Sequence, residues 1–455
     1  MVAKRRDNGS LSQALYERAV KVLPGGVSRN TVLRRPHPQY VDFASGCRTT
    51  DVDGVVRLDF ANNMASLIHG HAHPAVVPAV AEQLARGTAY AAATEIEVRY
   101  AEALCARNRS FQKLRFVNSG TEAVMCALKA ARAFTGRPKI AKVEGAYHGQ
   151  YDYAEVSEAA TPERWGSTDN PASVPVARGT PPAALADVVV IPFNDTERAL
   201  AILADHGRDL ACVLLDLMPH RVGLIPADAA FVEALRAWTE ANGALLVFDE
   251  VITFRAEVAG LQAHYGIAPD LTALGKIIGG GFPVGAVAGR ADVMEVMNPL
   301  ADKVLFPHSG TFSANPVTMT AGLATMSLYD EAAAARLNEL GRRAVAGIEA
   351  AIRVTGATAC TTGYGSIFRV HPKATPPRNY RETYPTPAEE AARRWLVDAL
   401  YEQGVVVFDP CTVTLSTPMG EAEVDALVDA FEIAFGRLAG QRARTTRKDQ
   451  GGNSR

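Results

Sequence analysis

The stretch "LRFVNSGTEAVMCALKAARAFTGRPKIAKVE", residues 114–144, restricts the fold of this chain more than any other. Its opening segment, 114–120, is a short apolar strand that runs straight into a helical pattern. Ser119 is placed to cap that helix, and Glu122 stands three residues later, as a capping box requires. Gly136 is well placed to end it, and "KIAKVE" returns as a second strand. The pattern recurs in "ACVLLDLM" (211–218), the helical "AAFVEALRAWTEANG" (229–243) and the strand "ALLVFDEV" (244–251). Strands that are apolar almost throughout are buried on both faces, so the spacing predicts a mostly parallel sheet covered by helices. A ligand is then expected at the carboxyl ends of the strands.

A chain of 455 residues exceeds what one core usually covers. Residues 76–328 are assigned to a large α/β domain. Residues 1–75, with the strand-like "TTDVDGVVRLDFA", and 329–440, with the helix-plus-strand "EEAARRWLVDALYEQGVVVF", read as two parts of a smaller α+β domain. The polar, basic end, residues 441–455, is expected to be a disordered tail. The segment 160–182 is too rich in Pro, Gly and Ser for regular structure and reads as a lid or a disordered insertion.

Composition excludes several function classes. A formal net charge of −2 and the lack of a long basic stripe argue against nucleic acid or an anionic membrane as partner. No run is long enough for a membrane span, and no apolar segment follows the charged N-terminus. The six cysteines are scattered without a CxxC, which suits a reducing cytoplasm.

Three features fall where strands end. Ser119, Gly120 and Thr121 at a helix N-terminus offer free amides, hydroxyls and a positive dipole end, an anion site that suits phosphate. Asp249 and Glu250 close an apolar strand, where a carboxylate needs a partner. Lys276 stands between an apolar run and Gly279-Gly280-Gly281, where burial lowers an amine's pKa and favours its neutral, nucleophilic form. Each alone has an ordinary structural explanation: a helix cap, a satisfied core carboxylate, a snorkelling lysine. Together they supply a phosphate anchor, an acid for a ring nitrogen and an amine for an aldehyde, the three needs of pyridoxal 5'-phosphate. The alternating His69, His71 and His73 of "HGHAHP" raise the possibility of a metal, but no acidic or cysteine ligands accompany them, and no metal is expected.

The motifs "VNSGTEA", "EGAYHG", "LLVFDEV", "PDLTALGKIIGGGFPVGA" and "HSGTFSANPVTMTAG" closely resemble class III aminotransferases of PLP fold type I, including β-amino-acid aminotransferases and glutamate-1-semialdehyde aminomutases. The likeness runs from about Pro24 to Pro418. It implies that Lys276 carries the cofactor's aldehyde and that Asp249 faces the pyridinium nitrogen. It further implies that Ser119, Gly120 and Thr121 hold the phosphate, that Tyr147 and Val251 cover the two ring faces, and that Thr311 reaches the phosphate from a second subunit. The last role implies a homodimer with shared active sites.

For the substrate, Arg29 in "PGGVSRNTV" and Arg255 in "DEVITFR" are candidates to bind a carboxylate. Both segments depart from the aminomutase pattern towards the β-amino-acid aminotransferases, and Met64 falls where aminomutases carry a pocket tryptophan. Asp216-Leu217, before "MPHRVG", stands where the family has Glu-Pro. The expected activity is transfer of an amino group from a carboxylate-bearing amine, a β- or ω-amino acid, to a 2-oxo acid. The alternatives are intramolecular transfer by an aminomutase and a non-catalytic PLP-binding protein.

Overall fold

A computed structural model gives the fold of residues 10–451. Its centre is a seven-stranded sheet made of β1 (Lys113–Val117), β2 (Lys139–Val143), β3 (Val188–Ile191), β4 (Leu210–Leu215), β5 (Leu245–Asp249), β6 (Leu271–Gly275) and β7 (Gly285–Gly289), in the spatial order β1-β7-β6-β5-β4-β2-β3. β2 pairs in parallel with β3 and β4, and β4, β5 and β6 continue the parallel ladder. β7 alone is reversed, antiparallel to both β6 and β1. The carboxyl ends of the other six strands therefore share one edge, and the loops leaving them converge there.

The apolar runs are explained by burial on both faces: every residue of β3 to β7 is buried. The helix Gly120–Thr135 covers one face with Ala123, Val124, Ala127, Leu128 and Ala131. Gly136, at φ 70°, closes it in the left-handed conformation that its lack of a Cβ permits. The expected capping box closes differently. Ser119 Oγ accepts from Glu122 N at 3.1 Å, but Glu122 Oε2 takes the backbone N of Asn118 at 2.9 Å and its side-chain amide at 3.1 Å. The carboxylate satisfies two donors at once on Asn118, and the Ser119 amide is not taken by it.

Both ends of the chain build a second sheet. Val41–Ser45, Arg48–Asp51 and Val56–Asp59 form an antiparallel meander, and Val405–Val406 adds to it in parallel beside Val56–Asp59. A three-stranded antiparallel sheet of Cys360–Tyr364, Ile367–His371 and Thr412–Thr414 adjoins it. One hydrophobic cluster runs from Phe116, Leu274 and Ile277 at the central sheet to Phe368, Leu415 and Phe431 of the C-terminal segment. The last helix, Glu421–Gly451, extends into the region expected to be a disordered tail. Residues 452–455 and the first nine lie outside the described residues. Among the described residues no helix is long and apolar enough to cross a membrane.

Segment 160–182 has no regular element up to the short helix that begins at Pro182, as its composition implies. It is nonetheless pinned. Arg381 donates to the carbonyls of Trp165, Gly166 and Ser167 at 2.9, 3.1 and 3.0 Å, and Tyr380 Oη donates to Ala160 O at 2.8 Å. Four backbone carbonyls clamped by the C-terminal half do not describe a freely closing lid.

Candidate active site

Lys276 follows the last residue of β6 and opens a short 3₁₀ turn, Lys276–Gly279. Its backbone φ is 50°, a left-handed conformation that costs a non-glycine residue on the order of 1–2 kcal/mol. Such strain persists where the surroundings dictate it, and it collects at functional positions. Burial holds the Lys276 ammonium below its ordinary pKa, with Asp249 and then Asp216 pulling it back up. The amine is thus closer to its neutral form than a surface lysine, while two carboxyl groups stand near enough to shape its charge.

Asp249 ends β5 on the same edge. Its Oδ1 accepts from Val251 N at 3.0 Å and its Oδ2 from His148 Nδ1 at 2.8 Å. His148 is buried, and burial pushes its imidazole pKa down despite the carboxylate beside it. A neutral ring donating from Nδ1 leaves Nε2 buried without a hydrogen-bond partner among the described residues. The motif "EGAYHG" pointed to Tyr147; its next residue, His148, orients Asp249, and an imidazole one position along from a candidate ring-stacking tyrosine was the signal available.

Asp216, placed just beyond β4, also belongs to this cluster. It is buried, its Oδ1 accepts from Met218 N at 2.9 Å, and burial followed by the charge of Asp249 raises its carboxyl well above the usual carboxylate range. Two neighbouring carboxyl groups cannot both ionise at little cost.

The anion turn adjoins both. The amide of Glu122 is capped by Ser119 Oγ and that of Ala123 bonds Ser119 O, which leaves Gly120 and Thr121 with the uncommitted amides of the first turn. Packing around the glycines is close here. A Cβ on Gly120 would stand 2.8 Å from Val251 Cγ1, and one on Gly275 3.2 Å from the same methyl. Val251 therefore bridges the anion turn and the residue before Lys276. On the other side, a Cβ on Gly149 would meet Thr121 Oγ1 at 2.5 Å, so the loop carrying Tyr147 and His148 abuts the turn as well. Tyr147 is 39% exposed, with the Arg221 guanidinium 5.1 Å from its ring centre. Thr311 is exposed, on a loop whose Ser313 Oγ accepts from Asn118 Nδ2 at 3.5 Å in the same chain.

The substrate candidates separate. Asn62, Asn63, Met64 and Ala65 all have positive φ, between 45° and 68°, a full left-handed turn without a glycine. Asp59 Oδ1 accepts from Ala61 N and Asn62 N at 2.9 and 3.0 Å, and Asn62 Nδ2 donates to Thr414 O at 2.8 Å. The turn presents Asn63 and Met64 to the 29–31 segment. Arg29 Nη1 donates to Asn63 Oδ1 at 2.8 Å, and Thr31 Oγ1 lies 3.6 Å from Met64 Sδ. Arg29 is exposed, with donors to spare. Arg255 is placed differently from Arg29. It is fully buried, donates to Ala65 O at 3.2 Å, Ser366 Oγ at 3.4 Å and Leu415 O, and so braces the left-handed turn from beneath. Its Nε is buried without a hydrogen-bond partner among the described residues.

The three histidines are each accounted for. His69 bonds Thr417 Oγ1 and Thr325 O at 2.8 and 3.0 Å, His71 Nε2 bonds Asp59 Oδ2 at 2.7 Å, and the His73 ring packs 5.3 Å from that of His69. No group of residues able to hold a metal ion occurs among the described residues.

The family model for class III aminotransferases matches residues 32–432, and the chain belongs to that family. Its enzymes depend on pyridoxal 5'-phosphate, and the uncommitted amides, glycine cradle, buried Asp249 and Lys276 fit that group. Among relatives, a glutamate-1-semialdehyde 2,1-aminomutase of Methanothermobacter thermautotrophicus is 40% identical over 94% of this chain and 99% of its own. Among solved structures, an omega-transaminase from Sphaerobacter thermophilus is 48% identical with a TM-score of 0.92, covering 94% of this chain and 98% of that one. A transaminase with PLP bound is 43% identical with a TM-score of 0.88, over the same shares of the two chains.

Proposed function

We propose that this PLP-dependent enzyme is an aminotransferase that moves the amino group of a carboxylate-bearing amine, a β- or ω-amino acid, to a 2-oxo acid. The observation that carries this reading is the Arg29–Asn63 contact on the left-handed turn. It holds an exposed guanidinium beside Met64, where a flexible, unbranched side chain leaves room. Likeness to an omega-transaminase at 48% identity supports it.

The cofactor supplies an aldehyde to receive the amine and an electron sink for the pair left when the substrate C–H bond breaks. The chain supplies the rest. Lys276 would hold the aldehyde, and its Nζ would take and return the proton of the substrate carbon. Asp249, fixed by Val251 N and His148, would keep a proton on the ring nitrogen. The Gly120 and Thr121 amides, with the Ser119 hydroxyl, would hold the phosphate, and Tyr147 and Val251 would confine the ring. The exposed Thr311 loop would complete the phosphate site of a second subunit in a homodimer. The unpaired state of all six cysteines fits a cytoplasmic enzyme.

Likeness to the aminomutase at 40% identity favours a second reading, in which the amine moves within one molecule. Incubating the purified enzyme with amino donor and no oxo acid separates the two. A single burst that stops at one equivalent per site is expected, and sustained turnover would overturn the aminotransferase reading. Arg29→Leu is expected to raise KM for a carboxylate-bearing donor about 30-fold, the loss of one charge-assisted contact, and to spare simple amines.

A further inference from the structure

A fully buried lysine stands inside the central sheet. Lys142 lies in β2, and its partners in register are Val190 of β3 and Leu214 of β4, both buried. An aliphatic side chain would fill that position without the cost of taking a cation out of water. The Lys142 Nζ is spent on backbone: it donates to Ala146 O at 2.8 Å and to Val156 O at 2.6 Å. Burial lowers its pKa to about 7, against the charge of Glu158. An amine keeps two N–H and an ammonium three, so both carbonyls have a donor in either form.

The two carbonyls stand on opposite sides of one loop. The chain leaves β2 after Val143 and returns at Ser157, whose O accepts from Gly145 N at 2.9 Å. Ser157 is fixed in turn, its N donating to Val174 O at 2.8 Å and its Oγ to Ala172 O at 2.7 Å. Between the clasped carbonyls lie the loop's contacts with the cofactor side of the site. Ala146 O belongs to the peptide that joins Tyr147. His148 Nδ1 holds Asp249 Oδ2 at 2.8 Å, and Gln150 N donates to Thr121 Oγ1 at 3.4 Å. One buried donor group therefore fixes the peptide plane just before Tyr147 and ties it to the far side of the loop.

We propose that Lys142 is a positioning residue for the cofactor: by clasping Ala146 O to Val156 O it sets where Tyr147 and His148 stand, and through His148 the alignment of Asp249. Fully buried in the sheet, it acts through those residues. The role is the same whether the amine moves between molecules or within one, so it stands apart from the aminotransferase reading.

The test uses full-length holoenzyme at saturating PLP, with PLP the only ligand. Lys142→Met fills the strand position and leaves both carbonyls without their donor. Amide exchange in residues 145–151 is expected to accelerate about 20-fold, the loss of hydrogen bonds to a charged group. The visible absorbance band of bound PLP is expected to shift as Asp249 loses its alignment. Lys142→Gln, which keeps two N–H on a shorter side chain, is expected to recover part of both changes. Arg137→Met is the control at the other end of β2. Arg137 Nη1 donates to the carbonyls of Gly207, Leu210 and Asn242 at 3.3, 3.1 and 2.8 Å, so its loss removes bonds of the same kind. It is expected to lower the melting temperature and to leave the band and the loop exchange as in the wild type. Equal changes in Arg137→Met would overturn the proposal, because Lys142 would then only stabilise the fold. An unchanged band or unchanged exchange of 145–151 in Lys142→Met would overturn it as well. If Lys142→Met does not fold, Lys142→Gln against wild type decides on the same two readings, and a variant identical to wild type in both overturns the proposal.

Discussion

The two sides of the site are built in different ways. On the cofactor side, Ser119, His148, Asp216, Asp249 and Lys276 all lie at, or a few residues beyond, the carboxyl ends of five strands of one sheet. On the proposed substrate side, Asn63 and Met64 sit on a left-handed turn that Arg29 contacts and that Thr414, Arg255 and Asp59, residues far apart in the chain, brace. Cofactor chemistry demands fixed relative positions, and a parallel sheet with both faces buried supplies them. Substrate choice tolerates variation, so it can rest on loops and turns held by long-range contacts. The comparison teaches that strain is present on both sides, at Lys276 and at Asn62 to Ala65, but is held differently: by the sheet in one case, by a few polar clamps in the other.

The largest effect that could break this contrast is at Lys276. Lys276→Ala is expected to lower turnover on the order of 10⁴-fold, since one group supplies both attachment and proton transfer. The visible absorbance of the bound cofactor should change at the same time; an enzyme that keeps spectrum and rate would place the chemistry elsewhere. Next in size is the clamp under the turn. Arg255→Ala empties a buried site and orphans the carbonyls of Ala65 and Leu415, with an expected loss of about 3 kcal/mol of stability. Denaturant unfolding checks it, and a loss below 1 kcal/mol would mean that the turn stands without its brace.

A smaller effect concerns acid. His371, whose Nε2 lies 3.2 Å from Gly223 O in the loop after β4, is buried and its pKa is lowered to about 3; His69 is lowered to about 4. Both take up a proton on unfolding below their ordinary pKa, so the unfolded state binds more protons and stability falls as pH drops from about 6.5 towards 3. Between pH 7 and pH 5 the expected loss is about 2 kcal/mol for each histidine. Melting temperatures at the two pH values measure it, and His371→Asn should remove its own share of the difference. The smallest effect is at the turn itself. Asn63→Gly relieves a left-handed residue and is expected to stabilise the fold by about 0.5 kcal/mol, while KM for a carboxylate donor rises a few-fold because Arg29 loses its orienting partner. A variant that loses stability would show that the Asn63 side chain, with its bond to Ser66 Oγ at 3.0 Å, outweighs the strain.

The sheet and the helix after β1 were legible in the sequence, as was the placing of Ser119, Asp249 and Lys276 at strand ends. They depend on contiguous signals: apolar runs of strand length, a cap followed by a helix, a lone lysine before glycines. His148 and Asp216 stood beside quoted motifs, yet the bond of His148 to Asp249 and the placing of Asp216 in the same cluster join different strands. No local pattern reports a pairing across such a distance. Arg255 shows the reverse: its local motif resembles that of a substrate arginine, and only the fold shows it buried against the carbonyls of Ala65 and Leu415.

By itself, then, the sequence of this protein determined an α/β chain that places a phosphate anchor, an acid and an amine at strand ends, because strand periodicity and capping act over a few residues. The tertiary structure alone decided which arginines are free to bind a substrate. Burial and hydrogen-bond partners come from segments hundreds of positions apart, and they leave Arg29 exposed while burying Arg255 against the carbonyls of Ala65 and Leu415.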